Sequence, residues 1–308
     1  MRIVVALGGN ALLQRGERPD ATIQLGHVRQ AARALAPLAA EHELVVCHGN
    51  GPQVGVLALE SEADRTLSRP YPLDVIGAQT QGMIGYWLAQ ELSAAGVTRP
   101  VVTVVTRTVV DAHDPAFLAP TKFIGPTYDE AGAAGLAERY DWHVARDGET
   151  WRRVVASPEP RRVVEIGAIR TLLESGAVVV CGGGGGVPVV EGGQDGPSGV
   201  EAVVDKDLTA ASIALELGAE HLLVLTDVPA VMRGYGTAAA TPILAADVDE
   251  LSAMGFPAGS MGPKIEACVR FVRASGRAAA IGALADAAAV LAGDAGTSIT
   301  PAPAKAVP

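Results

Sequence analysis

Residues 2–10, RIVVALGGN, place five consecutive apolar side chains directly before two glycines and an asparagine. The same pattern returns as LVVCHGNG at 44–51 and as AVVVCGGGGG at 177–186. Apolar runs without polar alternation are typical of strands that are covered on both faces of a parallel sheet. Strands are therefore predicted at 3–7, 44–47, 101–106, 177–181, 221–225 and 278–281.

Longer amphipathic segments separate these strands and predict helices at 23–40, 74–94, 163–174, 208–217 and 261–274. Alternation of short apolar strands with such helices is typical of parallel sheets built from β-α-β units. We therefore predict an α/β fold with a mostly parallel, doubly wound sheet, in one domain over 1–308.

Composition excludes several classes of protein. The net charge of −10 argues against a nucleic-acid or anionic-membrane partner. Mean hydropathy is high at +0.27, but no apolar run approaches the ~18 residues of a membrane span. Met1 and Arg2 lead straight into a strand, without the pattern of a signal peptide, so we expect a cytoplasmic protein. Three cysteines without a CxxC pair are expected to be apolar filler.

The region 113–162 breaks the alternation, because it is rich in proline, charge and aromatic residues. We predict an inserted subdomain here, with the role of a lid. A long surface excursion without function is the alternative. The last residues, 301–308 (PAPAKAVP), are expected to form a flexible tail.

Three predicted strands end in loops suited to a phosphate or another small anion. These loops are Gly8-Gly9-Asn10, His48-Gly49-Asn50-Gly51 and the glycine run 182–186, which includes Gly183 and Gly184. Glycine lets backbone N–H groups approach an anion closely, and ligands of open α/β sheets bind at the carboxyl ends of strands. Each loop alone could be an ordinary turn, and no GxxxxGK[ST] motif is present. Three such loops on one sheet favour a shared phosphate-sized site.

Lysine is rare in this chain. Of 24 basic residues, four are lysines: Lys122, Lys206, Lys264 and Lys305. Scarcity makes each a candidate for a site that needs a compact ammonium group, although Lys305 lies in the tail and is expected to be idle. Lys206 lies between Asp205 and Asp207 at a predicted helix start, and Lys264 lies in the first turn of another helix. Because that end of a helix repels cations, both positions suggest a bound anion, whereas the two acids could be ordinary helix caps.

The remaining polar residues are less specific. Thr226-Asp227-Val228 ends a strand and either borders a nucleotide or forms a capping turn. His48 is expected to shape its turn, and no GxSxG or HExxH motif indicates a hydrolase.

At this point the motifs resemble a known family. VVALGGNALLQRG, HGNGPQVG, TKFIGP, WRRVVASPEP, GVEAVVDKD, LTDVPAVM and GSMGPK are similar to segments of carbamate kinases, within the amino acid kinase superfamily. The resemblance covers almost the whole chain. It implies a three-layer αβα sandwich with a protruding subdomain, a homodimer, and Mg²⁺ bound with ATP. It also implies a carbamate-binding half over about 1–175 and a nucleotide-binding half over about 176–300.

The same resemblance implies roles for individual residues. Lys122, Lys206 and Lys264 would neutralise phosphate charge, and Asp207 would orient lysines. The substrate and the transferring phosphoryl group would meet Gly8, Gly9, Asn10, Gly49, Asn50, Gly51, Gly183 and Gly184. The nucleotide would lie along Thr226, Asp227, Val228, Met261, Gly262 and Lys264. Many superfamily members carry a lysine near Ala6, and Lys122 is thought to substitute for it here.

These residues suit phosphoryl transfer between ATP and carbamate, because carbamate already carries an anionic oxygen and needs no general base. Two alternatives stay open from the sequence. One is a related kinase acting on another small carboxylate or phosphate, and the other is a ligand sensor without catalysis. The resemblance implies no metal site made of protein side chains alone.

Overall fold

The structure is a computed structural model that describes residues 1–14, 16–192, 196–237, 239–256 and 261–303, leaving aside the side chain of Asn10. Lys305 and most of the predicted tail, together with Gly259 and Ser260 of GSMGPK, lie outside that description. The α-helices are α1 (Ala21–Glu41), α2 (Gly51–Ala63), α3 (Leu73–Ala94), α4 (Glu130–Tyr140), α5 (Ile166–Glu174), α6 (Lys206–Leu217), α7 (Val248–Ala253), α8 (Met261–Ser275) and α9 (Ala287–Ala292).

The strands of the first half are β1 (Arg2–Leu7), β2 (Glu43–His48), β3 (Val101–Thr103), β4 (Arg107–Val110), β5 (Lys122–Tyr128), β6 (Val144–Asp147), β7 (Thr150–Val155) and β8 (Arg162–Val163). Those of the second half are β9 (Val178–Val180), β10 (Val187–Val190), β11 (Ser198–Gly199), β12 (His221–Thr226), β13 (Val231–Arg233), β14 (Thr241–Ile243), β15 (Ala245–Asp247), β16 (Ala278–Ala283) and β17 (Thr297–Thr300).

A central sheet organises the molecule in the order β15-β17-β16-β12-β1-β2-β9-β3. Every neighbouring pair in it is parallel except β16 and β17. Because parallel neighbours require crossover connections, the intervening helices cover the sheet on both faces. The α/β fold with a mostly parallel sheet is thus confirmed.

Alternate residues of β1 show the three layers. Val4 and Ala6 pack in one buried cluster with Ile169, Ile213 and Phe271 of α5, α6 and α8. The alternating residues Ile3, Val5 and Leu7 pack in a second cluster on the opposite face. Helices α1, α3 and α9 cover that face. Each face of β1 is therefore sealed by helices, which explains its unbroken apolar run.

Two predicted boundaries are wrong. The strand predicted over 101–106 stops at Thr103, since Thr106 turns to pair its backbone N–H and C=O with the side-chain amide of Gln81. The helix predicted from 163 begins at Ile166, because 162–163 form β8 and pair with β4. Local periodicity misses both, since the competing partners are distant in sequence.

The predicted insert, 113–162, carries a sheet of its own. Strands β5, β7 and β6 are antiparallel in that order, with α4 beside them. At the base of the insert, the Asp114 carboxylate accepts a hydrogen bond from the backbone N–H of Glu159, at 3.0 Å. Arg161 pairs with Asp111 at the same place.

None of the helices that the structure describes is both long and apolar enough to cross a membrane.

Candidate active site

The three glycine turns pack directly against each other at the carboxyl ends of β1, β2 and β9. A Cβ added to Gly49 would lie 2.9 Å from the Cα of Gly9, and one added to Gly184 would lie 2.1 Å from Asn50 Nδ2. Gly184 also has a φ of +61°, which disfavours any residue with a side chain. Glycine is therefore needed at these positions for the turns to meet.

Side chains behind the turns hold their shape. His48 is buried, and its Nδ1 lies 3.0 Å from the carbonyl oxygen of Gly49. Burial lowers the pKa of His48 to about 4, so the ring is neutral near pH 7. Asn50 donates from Nδ2 to Thr80 Oγ1 at 2.9 Å. These contacts support the prediction that His48 shapes its turn.

Two lysines from different helices share one buried carboxylate. Lys206, the first residue of α6, donates to Asp207 Oδ1, and Lys264, in the first turn of α8, donates to Asp207 Oδ2 at 3.1 Å. Asp207 is 2% exposed. The negative charge of Asp207 thus partly offsets the repulsion between each lysine and the positive end of its helix.

The electrostatics of Asp207 depend on both lysines. Burial raises the pKa of its carboxyl, but the charges and hydrogen bonds of Lys206 and Lys264 lower it by more, so the pKa lies below its ordinary value. Burial has the largest effect on Lys206 and lowers the pKa of its ammonium group. The charge of Lys264 lowers this pKa further, whereas Asp207 raises it. One carboxylate between two ammonium groups leaves an excess positive charge that a bound anion would offset.

Lys122 reaches the same site from the insert. Its Nζ lies 3.1 Å from Oδ2 of Asp205, while Oδ1 of that carboxylate accepts the backbone N–H of Asp207 at 2.9 Å as the N-cap of α6. Asp205 therefore has two roles, whereas the sequence suggested only a helix cap. The contact joins residues 83 positions apart, and no local pattern signals it.

Arg152 is a second residue that the sequence reasoning missed. It lies on β7, lines the cleft and donates from Nη2 to the carbonyl oxygen of Gly125 at 2.9 Å. Gly125 has a φ of +68°, and the pairing of β5 with β7 shifts register just beyond Ile124. Arg152 thus holds the irregular part of β5, three residues from Lys122. Its place within WRRVV was the available signal, but a motif does not show which way a side chain points.

The cleft between these groups has a volume of about 340 Å³. Most of the predicted catalytic and substrate-binding residues line it: Gly9, Gly49, Asn50, Gly51, Lys122, Gly184, Lys206, Asp207 and Lys264. Gly8 lies just beside it, with its N–H bonded to the carbonyl of Leu225 at 2.8 Å. A Cβ on Gly183 would lie 2.5 Å from His48 Nε2, so Gly183 serves the packing of the turn.

The predicted nucleotide residues lie outside the lining of this cleft, apart from Lys264. Thr226 ends β12, next to Gly8, and its hydroxyl donates to Asp227 Oδ1 at 3.0 Å. Val228 follows in the same turn. Met261 and Gly262 open α8 in the same turn as Lys264, so two of the predicted nucleotide residues adjoin the lysine pair.

The donor set of the cleft fits an anion better than a bare metal ion. Both acids that line it, Asp205 and Asp207, already bind lysines. No group of three or more His, Cys, Asp or Glu residues that could hold a metal occurs in the part of the chain that is described. Glycine turns at parallel strand ends, beside three lysines, define a phosphate-handling α/β protein.

Comparisons with known proteins agree with this class. The model of a family described as "Amino acid kinase family" matches residues 1–282. Carbamate kinases from Rhizobium meliloti and Escherichia coli K12 are each 50% identical, over 97% of this chain and 93% and 99% of their own lengths. The structure of "Carbamate kinase from Giardia lamblia bound to AMP-PNP" superposes with a TM-score of 0.90 and 38% identity, over 98% of both chains. The chain therefore belongs to the amino acid kinase family, within its carbamate kinase group.

Proposed function

We propose that this protein is a carbamate kinase that transfers a phosphoryl group reversibly between ATP and carbamate. The observation that carries the proposal is the convergence of Lys122, Lys206 and Lys264 on one cleft beside three glycine turns. Relatives that are named carbamate kinases and match almost end to end support the choice of substrate. The bound AMP-PNP of the Giardia relative supports ATP as the second substrate.

The two halves would divide the substrates between them. In the half over about 1–175, Gly8, Gly9 and Asn10 with the 49–51 turn would surround carbamate and the transferring group. In the half over about 176–300, Thr226–Val228 and the start of α8 would hold the nucleotide. The insert, 113–162, would act as a lid, since it brings Lys122 to the cleft. Lid closure would then exclude water from the reaction.

The proposed chemistry needs charge and position rather than a base. An oxygen of carbamate attacks the γ-phosphorus of ATP, and the bond from that phosphorus to the bridging oxygen of ADP breaks. Negative charge spreads over the transferring group and the leaving ADP oxygen. Lysines preset around the cleft would stabilise that charge without reorganisation, and Asp207 would orient two of them.

Mg²⁺ would arrive as part of the nucleotide substrate. Magnesium is usually bound by one or two carboxylates plus substrate phosphates and keeps several waters. Because Asp205 and Asp207 are bound to lysines, the described lining of the cleft offers no ready carboxylate cage, which suits a metal that is carried by ATP.

A phosphoryl-donor panel tests the proposal. The purified protein should form ATP from MgADP and carbamoyl phosphate far faster than from acetyl phosphate or aspartyl phosphate. Preference for another acyl phosphate would indicate a related kinase. Binding of nucleotide without any turnover would indicate a sensor. We also propose that the protein acts in the cytoplasm, where ATP and ADP are abundant.

We also propose a homodimer that forms through α3. Its exposed positions Val75, Gln79, Gly82, Tyr86 and Gln90 lie on one stripe without charge, at a spacing of three or four residues. Tyr86 is 61% exposed on this stripe. Tyr86→Glu should shift the sedimentation coefficient from dimer to monomer, whereas Tyr235→Glu, at a site 73% exposed elsewhere, should not. A wild-type monomer, or a Tyr86→Glu dimer, would contradict this interface.

A further inference from the structure

A second cavity lies between the insert and the body of the molecule, away from the lysines. Its volume is about 570 Å³, which exceeds the 340 Å³ of the reaction cleft. Its lining mixes aromatic and aliphatic side chains with several ionisable residues, and a concave site of this size can hold a small molecule. We call it the aromatic pocket; its lining includes Arg69, Tyr71, Phe117, Tyr140, Trp142 and Arg153.

The aromatic residues of this chain are concentrated there. The whole sequence contains three Trp, five Tyr and four Phe, yet one Trp, two Tyr and one Phe line this pocket. The large core instead uses aliphatic side chains, with Phe271 as its aromatic member among the largest fully buried side chains of the described residues. Tyr140 and Trp142 pack on each other, with ring centroids 4.9 Å apart, and all four rings border a space that the chain leaves open. Rings are a usual means of holding another ring.

The charges of the pocket favour a negative group on the ligand. Arg153 is 8% exposed, and its Nη2 donates to Glu201 at 2.9 Å. Burial nevertheless lowers the pKa of Arg153, so Glu201 offsets the burial of this cation only in part. Arg69 is exposed and has no hydrogen bond or ion pair among the described residues. One buried and one free guanidinium can therefore bind a carboxylate or phosphate.

A cationic ligand fits less well, although acids are present. Asp141 and Glu201 also line the pocket. The ring of Trp142, however, is already covered by the Arg153 guanidinium at 4.0 Å, and that of Tyr140 lies 5.1 Å from Arg139. A ligand cation would compete with these arginines for the same ring faces. Tyr71, 46% exposed, has no such cation over it.

We propose that the aromatic pocket is a second small-molecule site, which binds a planar ring carrying a carboxylate or phosphate group. The ring would stack on Tyr71 and Phe117, and the anionic group would meet Arg69 and Arg153. This site stands apart from the proposed kinase activity, because none of its residues lines the reaction cleft.

One strand separates the two cavities. On β7, Arg152 lines the reaction cleft, and its neighbour Arg153 lines the aromatic pocket. Val155 of the same strand lies in the pocket wall and pairs in register with Lys122. A ligand in the pocket would thus contact β7, the strand that pairs with β5 at Lys122.

Fluorescence of 1-anilinonaphthalene-8-sulfonate, a ring-bearing anion, tests the proposal on the full-length protein. The titration is made with excess tripolyphosphate, a polyanion without a ring, so that the cation-rich reaction cleft is filled. Arg69→Ala should raise the dissociation constant about tenfold, the usual value of a charged hydrogen bond. Tyr71→Leu should raise it as well. Arg65→Ala is the matched control, since Arg65 is an exposed arginine on the same α2–α3 connection that does not line the pocket.

Two competitors distinguish the anionic group. Displacement of the probe by adenosine monophosphate would indicate a ring phosphate, and displacement by indole-3-carboxylate would indicate a ring carboxylate. Equal dissociation constants for wild type, Arg69→Ala and Arg65→Ala would overturn the proposal. So would displacement of the probe by tripolyphosphate itself, which would place the probe in the reaction cleft.

Discussion

The reaction cleft and the aromatic pocket differ in how the chain builds them. The cleft gathers three of the four lysines and three glycine turns, all at or near strand ends and helix starts of the main sheet, except Lys122. The pocket gathers aromatic rings from the insert and from the loop before α3. In both places a residue type that the sequence otherwise uses sparingly is concentrated. Scarcity of a residue type is therefore the signal that the two proposed sites share.

Removal of Lys122 should have the largest effect on catalysis. Lys122→Ala should lower kcat by about 10²–10³, the range for loss of one preset charge or donor, with less effect on ADP affinity. Steady-state ATP formation measures it. Arg146→Ala is a suitable control, because Arg146 lies in the same insert and outside the cleft lining. A wild-type kcat in Lys122→Ala would show that the insert is not part of the active site.

Lys264 tests whether charge alone suffices. Its ammonium binds Asp207 Oδ2 at 3.1 Å in a crowded setting beside Lys206. A broad guanidinium cannot take that position, so Lys264→Arg should lower kcat almost as much as Lys264→Ala, by about 10². If the arginine variant is fully active, the argument from lysine scarcity is wrong.

The contact of Asp205 with Lys122 predicts a smaller effect. Asn caps helices as well as Asp does, so Asp205→Asn should keep α6 stable and lose the ionic contact with Lys122. Because such partly exposed pairs are weak, we expect kcat/KM to fall about fivefold with an unchanged melting temperature. Asp205→Ala should lower the melting temperature as well. An unchanged kcat/KM for Asp205→Asn would show that the carboxylate serves the helix alone.

His48 predicts an effect on stability only. Burial lowers its pKa from 6.5 to about 4, so the unfolded chain binds a proton at pH values where the folded protein does not. The free energy of unfolding should therefore fall as the pH decreases from 6.5 to about 4. Urea unfolding across this range should show a shallower fall for His48→Gln than for wild type. The exposed His113→Gln is the control, and parallel curves for all three proteins would contradict the prediction.

The sequence predicted some parts of this molecule and not others, for a physical reason. Unbroken apolar runs revealed β1, β2 and β9, because burial on both faces leaves a local pattern. Lys206 and Asp207 were recognisable because they are adjacent at a helix start. The Lys122–Asp205 contact and the aromatic pocket join segments that are far apart in the chain, and register and side-chain direction decide them. A resemblance could indicate Lys122, but not its partner.

The orienting role of Asp207 is the central claim, and its amide variant tests it most directly. Asp207→Asn keeps the size of the side chain but removes the charge that holds Lys206 and Lys264. ATP formation from MgADP and carbamoyl phosphate should fall in kcat by about 10² or more, with circular dichroism unchanged. A kcat near that of wild type in a folded Asp207→Asn protein would contradict the account.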